Sequence, residues 1–515
     1  MYSDKENVNI LTALLVKHGI RHAVVCPGSR NAPIVHNLNE CPNITCYPVT
    51  DERSAAFYAL GMTQATGCPV VVCVTSGTAL LNVAPAAAEA YYQHQPLVVI
   101  SADRPQQWID QLDGQTLPQG DALGRFVETA VMLPEPRDDE ERWYCQRLVN
   151  EALLRKTRPV HINVPISEPL FHFTTQELPE ANKIDWQPAD ISSIALNHIA
   201  HIFMQAKRPM LICGQPLNPL MDEAVAQVKD DERYVPDFVL YTGGTIVSKR
   251  MKRFLRKAKE TWLVNSTGEV TDTFMNLSNI IQGDGEVVAD YIRFMLEQQP
   301  HPFVRQWEEL LAGIRHKVEV FEPAYSQMAT VKYFEEHVGK AAVHYANSTA
   351  IRLANIYARH QVYCNRGVNG IEGSLSTAAG FSAVSDERVY CIIGDLSFFY
   401  DQNALWNSNL RGNLRILLMN NGRGGIFNML PGLEKSPARD TIVAAQHNTT
   451  AEGICRQNNV IYLQAKDMEQ MRCGIDQLLS EDSQRPILLE VMTDAAADES
   501  VYKTFSVLAS QPSVF

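Results

Sequence analysis

The sequence has few of the features that mark secreted proteins, membrane proteins or proteins stabilised by structural zinc. Its 11 cysteines are scattered from Cys26 to Cys473 without a CxxC pair, which argues against structural zinc and against a disulfide framework. No apolar run approaches the roughly 20 residues of a membrane-spanning helix, and the charged opening stretch MYSDKENVNILTALL does not read as a signal peptide. We therefore expect a cytoplasmic protein without membrane insertion.

Positive charge is also scarce. The 515 residues include 45 Lys and Arg against 58 Asp and Glu, a net charge of −13 at pH 7. This balance disfavours nucleic acid as a general partner, and anionic substrates would need locally concentrated Arg and Lys. No GxGxxG follows a predicted strand, which disfavours a nicotinamide-binding protein.

Short apolar segments alternate with helical ones along the whole chain. Continuous apolar strands of this kind indicate α/β architecture, with parallel sheets covered on both faces. The length predicts three doubly wound parallel-sheet domains, near 1–175, 185–320 and 325–515. The predicted linkers are 171–190 and either 297–311 or the segment shortly after it. The predicted strands lie in HAVVCPG, VVVCVTSG, PLVVISAD, VHINVP, RPMLICGQ, FVLYTGG, TWLVNSTG, AAVHYANS, VYCIIGD, LRILLMNN and PILLEVMTD.

Small polar or cationic residues directly follow most of these strands. In parallel α/β sheets, ligands bind beyond the carboxyl ends of the strands, so these junctions are the expected functional positions. The junctions are Pro27–Arg30, Thr75–Thr78, Asp103–Pro105, Asn347–Ser348, Gly394–Asp395 and Asn420–Gly422.

Two junctions in the last third put a carboxylate and a carboxamide at neighbouring strand ends. Between Asp395 and Asn420 lie 24 residues, enough for a crossover helix in YDQNALWNSNL and a return strand. With a backbone carbonyl, these oxygens suit Mg²⁺, which completes its octahedron with phosphates and water. The spacing favours this site over the simpler interpretation that Asp395 only caps a helix and Asn-Asn-Gly is a turn. Close approach of backbone N–H groups to a phosphate is permitted by Gly394, Gly422, Gly424 and Gly425.

These residues resemble the diphosphate–Mg²⁺ motif of thiamine-diphosphate-dependent enzymes, which is Gly-Asp-Gly followed after a similar gap by Asn-Asn. The chain departs at Leu396, where the family has Gly. The resemblance implies thiamine diphosphate and Mg²⁺ (or Mn²⁺) as cofactors, with Asp395, Asn421 and the carbonyl of Arg423 as metal ligands. The implied cofactor-binding residues are Glu52, Gly77, Thr78, Ile371, Gly394, Asp395, Leu396, Ser397, Asn421, Ile426 and Phe427.

Glu52, in PVTDERSAAFYALG, is the implied catalytic residue of the first third. Its carboxyl would hydrogen-bond the N1′ ring nitrogen and favour the imino tautomer, whose 4′-imino group generates the ylid. Without the resemblance, Glu52 reads as an exposed acid in a first helical turn, and Ile371 as ordinary core. Because Glu52 and Asp395 lie in separate domains, the resemblance also implies a homodimer or homotetramer whose active sites are shared between subunits.

Within this family the chain most resembles the branch that acts in menaquinone biosynthesis, on segments such as CPGSRNAPIV, DERSAAFYALG, NRGVNGIEGSLSTAAG, GDLSFFYDQNAL and NNGRGGIFNMLP. This implies a transferase that decarboxylates 2-oxoglutarate and adds the succinyl-semialdehyde carbanion to isochorismate by conjugate addition. Both substrates are dicarboxylates. The implied substrate-binding residues are Ser29, Arg30, Arg104, Gln115, Lys249, Arg250, Ser348, Arg352 and Arg366.

Among these residues, Ser348 and Arg352 follow a strand one helical turn apart and are implied to hold the distal carboxylate of the 2-oxoglutarate-derived unit. Any single Arg can instead be a surface residue or part of a structural ion pair, and SKRMKRFLRKAK, which contains Lys249, reads equally well as a solvated basic helix face. Two competing functions stay open: a different thiamine enzyme, such as an acetolactate-synthase or 2-oxoacid-decarboxylase relative, and a non-catalytic regulatory relative. We assign no chemistry to the histidines, His447 included, and none to the Arg423 side chain.

Overall fold

The computed structural model describes residues 1–154, 157–185, 191–214, 217, 219–430 and 432–511, and only the backbone of Met429. In these ranges the strands form three separate parallel sheets, which confirms the predicted α/β class. None of the described helices combines the length and the apolar character that a membrane crossing requires. Each sheet lies within one of the three predicted domain ranges, whose boundaries remain predictions.

The first unit is a six-stranded sheet with helices on both faces. Its strands are β1 (His22–Val25), β2 (Thr45–Pro48), β3 (Val70–Val74), β4 (Leu97–Asp103), β5 (Thr129–Met132) and β6 (Val160–Pro165). They lie in the order β2-β1-β3-β4-β6-β5. The helices are α1 (Glu6–Lys17), α2 (Ala32–Glu40), α3 (Glu52–Thr66), α4 (Thr78–Gln93) and α5 (Asp139–Leu153).

The middle unit is a four-stranded sheet. Its strands are β7 (Pro209–Ile212), β8 (Phe238–Tyr241), β9 (Glu260–Asn265) and β10 (Leu277–Gln282), in the sequential order β10-β9-β8-β7. Its helices are α6 (Ser193–Gln205), α7 (Met221–Val228), α8 (Lys249–Leu255), α9 (Gly285–Gln298) and α10 (Pro302–Val320).

The third unit is a five-stranded sheet. Its strands are β11 (Ala342–Tyr345), β12 (Val389–Gly394), β13 (Leu414–Asn420), β14 (Ile461–Ala465) and β15 (Ile487–Met492), in the order β11-β12-β13-β15-β14. Tyr363 adds a parallel bridge to His344 of β11. The helices are α11 (Gln327–His337), α12 (Thr349–Tyr357), α13 (Ser374–Val384), α14 (Asp395–Tyr400), α15 (Glu452–Gln457), α16 (Met468–Ser480) and α17 (Ala495–Ser510).

Four strands were not predicted from the sequence, and all four are sheet edges: β2, β5, β10 and β14. Every residue of β3 and β4 is buried, whereas most residues of these edge strands are partly or fully exposed. A central parallel strand is covered on both faces and reads as a continuous apolar run, while an edge strand carries polar residues that hide the pattern.

One sequence prediction was wrong in detail, and for another the structure selects one of its two alternatives. YDQNALWNSNL is not a crossover helix, because α14 ends at Tyr400 and only a 3₁₀ turn, Gln402–Leu405, follows it. The Asn407 side chain donates to the Ala404 carbonyl at 2.8 Å and accepts from the Asn409 N–H at 3.0 Å, and such local bonds compete with helix formation. Residues 302–311 are not a linker either, since they begin α10; the connection is the segment after it, 321–326.

The first and third units pack together through α3 and α13, which cross at two glycines. A Cβ atom on Gly61 would lie 1.9 Å from the Thr377 carbonyl oxygen, and one on Gly380 would lie 1.9 Å from the Tyr58 carbonyl oxygen. The two helix backbones therefore touch directly, and only glycine fits at either position.

Candidate active site

The first unit opens a crevice between β1 and β3. The chain leaves β1 toward β2 on one side of the sheet and leaves β3 toward β4 on the other, and such a switch point is where ligands bind in open α/β sheets. Ser29 is exposed beside this crevice, and Gly77 begins the opposite loop with a φ of 86°. A Cβ atom on Gly77 would lie 3.2 Å from the backbone of Gln115, which is itself exposed.

Arg30 and Arg104 meet at the carboxyl end of this sheet and share one acid. Both approach Oε1 of Glu168, at 3.1 and 3.5 Å, and Arg104 also lies 3.3 Å from Asp113. Arg30 is 5% exposed and donates to the Ile166 carbonyl at 2.9 Å. Burial and then the Arg104 charge lower the pKa of Arg30, so an anion bound beside this pair would relieve their repulsion.

Glu52 is the first residue of α3, and Asp51 caps that helix by accepting from the N–H groups of Arg53 and Ser54. The Glu52 side chain is half-buried and lies 3.5 Å from the Asn82 amide nitrogen. Both neighbours of Glu52 contact the third unit: Asn403 donates to Asp51 at 2.7 Å, and Arg53 donates to the Tyr400 carbonyl at 2.8 Å. The predicted catalytic acid thus lies at the junction of the first and third units.

The third unit has a matching crevice between β11 and β12, because the chain leaves β11 toward the Tyr363 bridge and β12 toward β13. Ser348 follows β11 with a φ of 72°, a left-handed conformation that is rare for a residue with a side chain. Strain of this kind concentrates at functional sites.

Asp395 follows β12 and is held by three backbone N–H groups. Its Oδ1 accepts from Leu396 at 2.7 Å, and its Oδ2 accepts from Asn421 at 3.2 Å and from Arg423 at 3.1 Å. These bonds tie the β12 and β13 loops together and bring the backbone of Asn421 and Arg423, the other two predicted ligands, beside the Asp395 carboxylate. The donor set fits a hard divalent cation.

Open space adjoins part of this cluster. A Cβ atom on Gly394 would meet nothing within 4 Å, and Gly422 has a φ of 74°. A cavity of about 560 Å³ adjoins Asn421 and Arg423. No group of three or more His, Cys, Asp or Glu side chains with metal-binding geometry occurs in the described ranges, and the predicted site is of another kind, with one carboxylate and two amide oxygens.

Two side chains without a predicted role complete the surroundings of Asp395. The Arg423 side chain forms an ion pair with Asp440, which also binds Arg439 at 2.8 Å. His447 Nε2 lies 3.4 Å from Asp395 Oδ2, and this carboxylate raises the pKa of His447.

A second group of cations lies where the third unit meets α8 of the middle unit. Arg366 donates to the Asn347 side chain at 3.1 Å. Burial lowers its pKa, and Arg352 lowers it further. Burial, then Arg366 and Lys249, lower the pKa of Lys252. These cations therefore crowd one another, as expected for a site that receives an anion.

Lys249 and Arg250 are the two predicted substrate-binding residues on α8. The Arg250 guanidinium is paired with Asp222 and lies 3.0 Å from both the backbone carbonyl and a carboxylate oxygen of that residue. Lys249 is exposed. Lys252, one turn further along the same helix, was not predicted, because the basic run SKRMKRFLRKAK does not reveal which residues face Arg366.

Three predicted apolar cofactor contacts are open to a ligand. Ile371 is 41% exposed, although it is a large aliphatic residue, so it is not the ordinary core residue that its sequence also allowed. Ile426 and Phe427 are partly buried. Phe427 packs over Gly424, where a Cβ atom would lie 2.8 Å from its ring.

Several residues that position the site were missed. Glu89 of α4 accepts from the N–H groups of Gly367 and Val368 at 2.6 and 2.7 Å and so holds the loop that carries Arg366. Gln119 accepts from the Gly77 N–H at 2.6 Å. Asp498 accepts from the Asn421 side chain at 3.0 Å. Only Asp498 had a signal in the sequence, because it lies shortly after the strand PILLEVMTD.

Comparison with known proteins assigns both crevices to thiamine pyrophosphate binding domains. Residues 6–123 match the model of the thiamine pyrophosphate enzyme N-terminal TPP binding domain, and residues 345–491 match that of the C-terminal TPP binding domain. A 2-succinyl-5-enolpyruvyl-6-hydroxy-3-cyclohexene-1-carboxylate synthase of Bacteroides fragilis is 42% identical over 98% of this chain and 99% of its own length. The chain belongs to this synthase family.

More distant relatives extend the comparison. The synthase of the same name from Porphyromonas gingivalis is 32% identical over 98% of this chain and 97% of its own length. An X-ray structure of a candidate thiamin diphosphate-dependent enzyme from Mycobacterium smegmatis superimposes with a TM-score of 0.69 at 16% identity, over 95% of this chain and all of the other. That likeness concerns the fold. As a member of the synthase family, the protein is a thiamine-diphosphate-dependent enzyme.

Proposed function

We propose that the protein is a carboligase of menaquinone biosynthesis that converts 2-oxoglutarate and isochorismate into 2-succinyl-5-enolpyruvyl-6-hydroxy-3-cyclohexene-1-carboxylate and CO₂. The observation that carries this proposal is the oxygen cluster of Asp395, Asn421 and Arg423 in a chain that belongs to this synthase family. When bound, thiamine diphosphate supplies the electron sink that stabilises the carbanion formed on loss of CO₂ from a 2-oxo acid.

The residues of the third unit hold the diphosphate end of the cofactor. Asp395, Asn421 and the Arg423 carbonyl bind Mg²⁺, or Mn²⁺ in its place, because all three offer oxygen atoms. The predicted contacts Gly394, Leu396 and Ser397 line the start of α14, and the open space at Gly394 supports a close approach of phosphate to the backbone.

Glu52 holds and exchanges the proton at the aminopyrimidine ring of the cofactor. Its half-buried position at the start of α3 supports this role, since a carboxyl partly withdrawn from water makes a stronger hydrogen bond. Gly77 and Thr78 border the same crevice. Ile371, Ile426 and Phe427 provide the apolar surface that excludes water from the reacting carbon.

Two groups of cations bind the substrate carboxylates. Ser348 and Arg352 hold the distal carboxylate of 2-oxoglutarate, while Arg30, Arg104 and their neighbours serve isochorismate. Burial and a like charge lower the pKa of Arg30, beside Arg104, and of Arg366, near Arg352, an arrangement that favours anionic ligands. The remaining members of the set are Ser29, Gln115, Lys249, Lys252 and Arg366, whereas the pairing of Arg250 with Asp222 supports a structural role for it.

Oligomeric state and location are further proposals. We infer a homodimer or a pair of dimers in which the first unit of one subunit and the third unit of another complete each site. Large apolar side chains that are exposed in the single chain, such as Leu112 and Trp406, support such an interface. The eleven free cysteines favour a reducing, cytoplasmic environment.

Reconstitution tests the proposal. The purified protein is incubated with thiamine diphosphate, Mg²⁺, 2-oxoglutarate and isochorismate, and both CO₂ release and isochorismate loss are followed. We expect stoichiometric consumption that stops when any one component is omitted. An acetolactate-synthase or decarboxylase relative would release CO₂ without consuming isochorismate. A regulatory relative would bind the cofactor without turnover, and either result would overturn the proposal.

A further inference from the structure

The amide group of Asn421 has one orientation that its surroundings allow. Its Nδ2 donates to Asp498 Oδ2 at 3.0 Å. An ionised carboxylate only accepts hydrogen bonds, so the nitrogen of the amide must face Asp498 and the oxygen must face the other way. On the same side, a Cβ atom on Gly425 would lie 3.0 Å from Nδ2, which leaves little room for another partner of the nitrogen.

Asp498 is itself fixed by two further donors. The Thr493 hydroxyl donates to Oδ2 at 2.8 Å, and the Gln327 backbone N–H donates to Oδ1 at 2.8 Å. These partners come from the end of β15 and the start of α11. The carboxylate therefore occupies a set position one turn inside α17, behind the Asn421 side chain.

We propose that Asp498 is a positioning residue of the metal site, which holds the carboxamide of Asn421 with its oxygen toward the cation and places a second negative charge behind that ligand. The inference rests on the proposed function, because it requires that Asn421 binds Mg²⁺. Asp498 acts through Asn421 and does not contact the cation. Partners of this kind commonly contribute about 10- to 100-fold to metal affinity.

The test measures the Mg²⁺ concentration that gives half-maximal binding of thiamine diphosphate to the full-length protein, by titration calorimetry and by quenching of tryptophan fluorescence. For Asp498→Ala we expect that concentration to rise about 10- to 100-fold. Saturating Mg²⁺ should restore turnover to within a few-fold of wild type. For Asp498→Asn we expect a smaller rise, since an amide oxygen still accepts from Asn421 but the charge is lost.

The matched control is Asp494→Asn, on the same helix. Asp494 accepts from the N–H groups of Ala496 and Ala497 at the start of α17, and Asn replaces Asp well at such a cap. This control removes the same charge from a residue that lines the cavity beside Asn421 but whose own bonds go to Ala496 and Ala497, and its Mg²⁺ requirement should rise far less than that of Asp498→Asn. An equal rise in the Mg²⁺ requirement of Asp494→Asn and Asp498→Asn would mean that only net charge matters and would overturn the inference.

A double-mutant cycle tests whether Asp498 acts through Asn421. If it does, Asn421→Ala combined with Asp498→Ala requires no more Mg²⁺ than Asn421→Ala alone. Additive effects of the two substitutions contradict the inference. An unchanged Mg²⁺ requirement in both Asp498 variants also contradicts it. If the Tm of the metal-free protein falls while the Mg²⁺ requirement stays unchanged, Asp498 has a structural role instead. If Asn421→Ala itself leaves the Mg²⁺ requirement unchanged, the metal site fails instead, and the two failures are thereby separated.

Discussion

The first and third units share one topology but differ in chemistry. The first sheet runs β2-β1-β3-β4-β6-β5, and the third runs in the corresponding order, Tyr363-β11-β12-β13-β15-β14, when the single bridge at Tyr363 is counted as its edge. Even the crossing of α3 and α13 is reciprocal, with Gly61 against Thr377 and Gly380 against Tyr58. The fold thus presents two equivalent crevices at related strand ends.

Equivalent strand ends carry different residues. After β3 the first unit has Gly77-Thr78, where the third has Gly394-Asp395 after β12. After β4 it has Asp103-Arg104, where the third has Asn420-Asn421 after β13. The third unit therefore presents a carboxylate and a carboxamide where the first presents a hydroxyl and a guanidinium. The fold supplies equivalent positions, and on the proposed function a few side chains at strand ends decide which end of the cofactor each unit holds.

The largest expected effect separates the two crevices by function. Glu52→Gln should lower kcat about 10²- to 10⁴-fold, the range for loss of an acid–base group, while the Kd for thiamine diphosphate changes by at most a few-fold. Asp395→Asn should instead abolish Mg²⁺-dependent binding of the cofactor. Steady-state kinetics and calorimetric titration check both variants. If Glu52→Gln turns over like wild type, or if both variants lose cofactor binding equally, the division of labour is wrong.

The second prediction tests the reciprocity of the helix crossing. Gly61→Ala and Gly380→Ala each force a Cβ atom against a backbone carbonyl, and each should lower stability by about 3 kcal/mol, the upper range for overpacking. The thermal unfolding midpoint is the readout. Gly453→Ala, where a Cβ atom would meet nothing within 4 Å, is the control. A large loss of stability for only one of the two substitutions would contradict the predicted equivalence of the two glycines.

The third prediction concerns the cations of the two crevices. Arg352→Ala should raise the KM for 2-oxoglutarate about 100-fold, as expected for the loss of a charge-assisted hydrogen-bonded pair, with little change in the Kd for thiamine diphosphate. Arg104→Ala should raise the KM for isochorismate instead. Arg293→Ala, an exposed cation of α9 paired with Asp290, should behave as wild type. Equal loss of substrate and cofactor binding in Arg352→Ala would contradict the assigned role.

The smallest expected effect extends the comparison to the middle unit, where Glu223 of α7 lies buried with one unpartnered carboxylate oxygen. Burial raises the pKa of Glu223 to about 7. The folded protein therefore binds the proton of the Glu223 carboxyl group more tightly than the unfolded chain does. The stability that this protonated group contributes is fully present below the ordinary pKa of 4.5 and is lost as the pH rises toward 7.

Glu223→Gln should therefore leave Tm unchanged near pH 4 and raise it near pH 8.5, by the equivalent of about 2 kcal/mol. The full pKa shift corresponds to about 3 kcal/mol, but water that reaches a buried charge reduces this. Glu297→Gln, at an exposed acid of α9, is the control and should show no such pH dependence. A stabilisation that is the same at both pH values would contradict the assignment.

The sequence was most informative where strands are covered on both faces. β3, β4, β12 and β13 were predicted because full burial requires a continuous apolar run. The residues directly after them stay the predicted functional positions, since chain polarity alone puts all carboxyl ends of a parallel sheet at one edge. The edge strands β2, β5, β10 and β14 were missed because half-exposed strands need no such run.

The sequence by itself therefore determined the α/β class, the positions of the strand ends and the residue types placed there, because apolar periodicity and residue identity are local properties. Only the tertiary structure decided which of these residues meet. In the structure Arg250 pairs with Asp222, while Lys252 lies beside Arg366. Glu89 binds the loop that carries Arg366, and Asp498 orients the Asn421 side chain. These pairs lie up to hundreds of positions apart, and packing of whole elements, rather than any local pattern, brings them together.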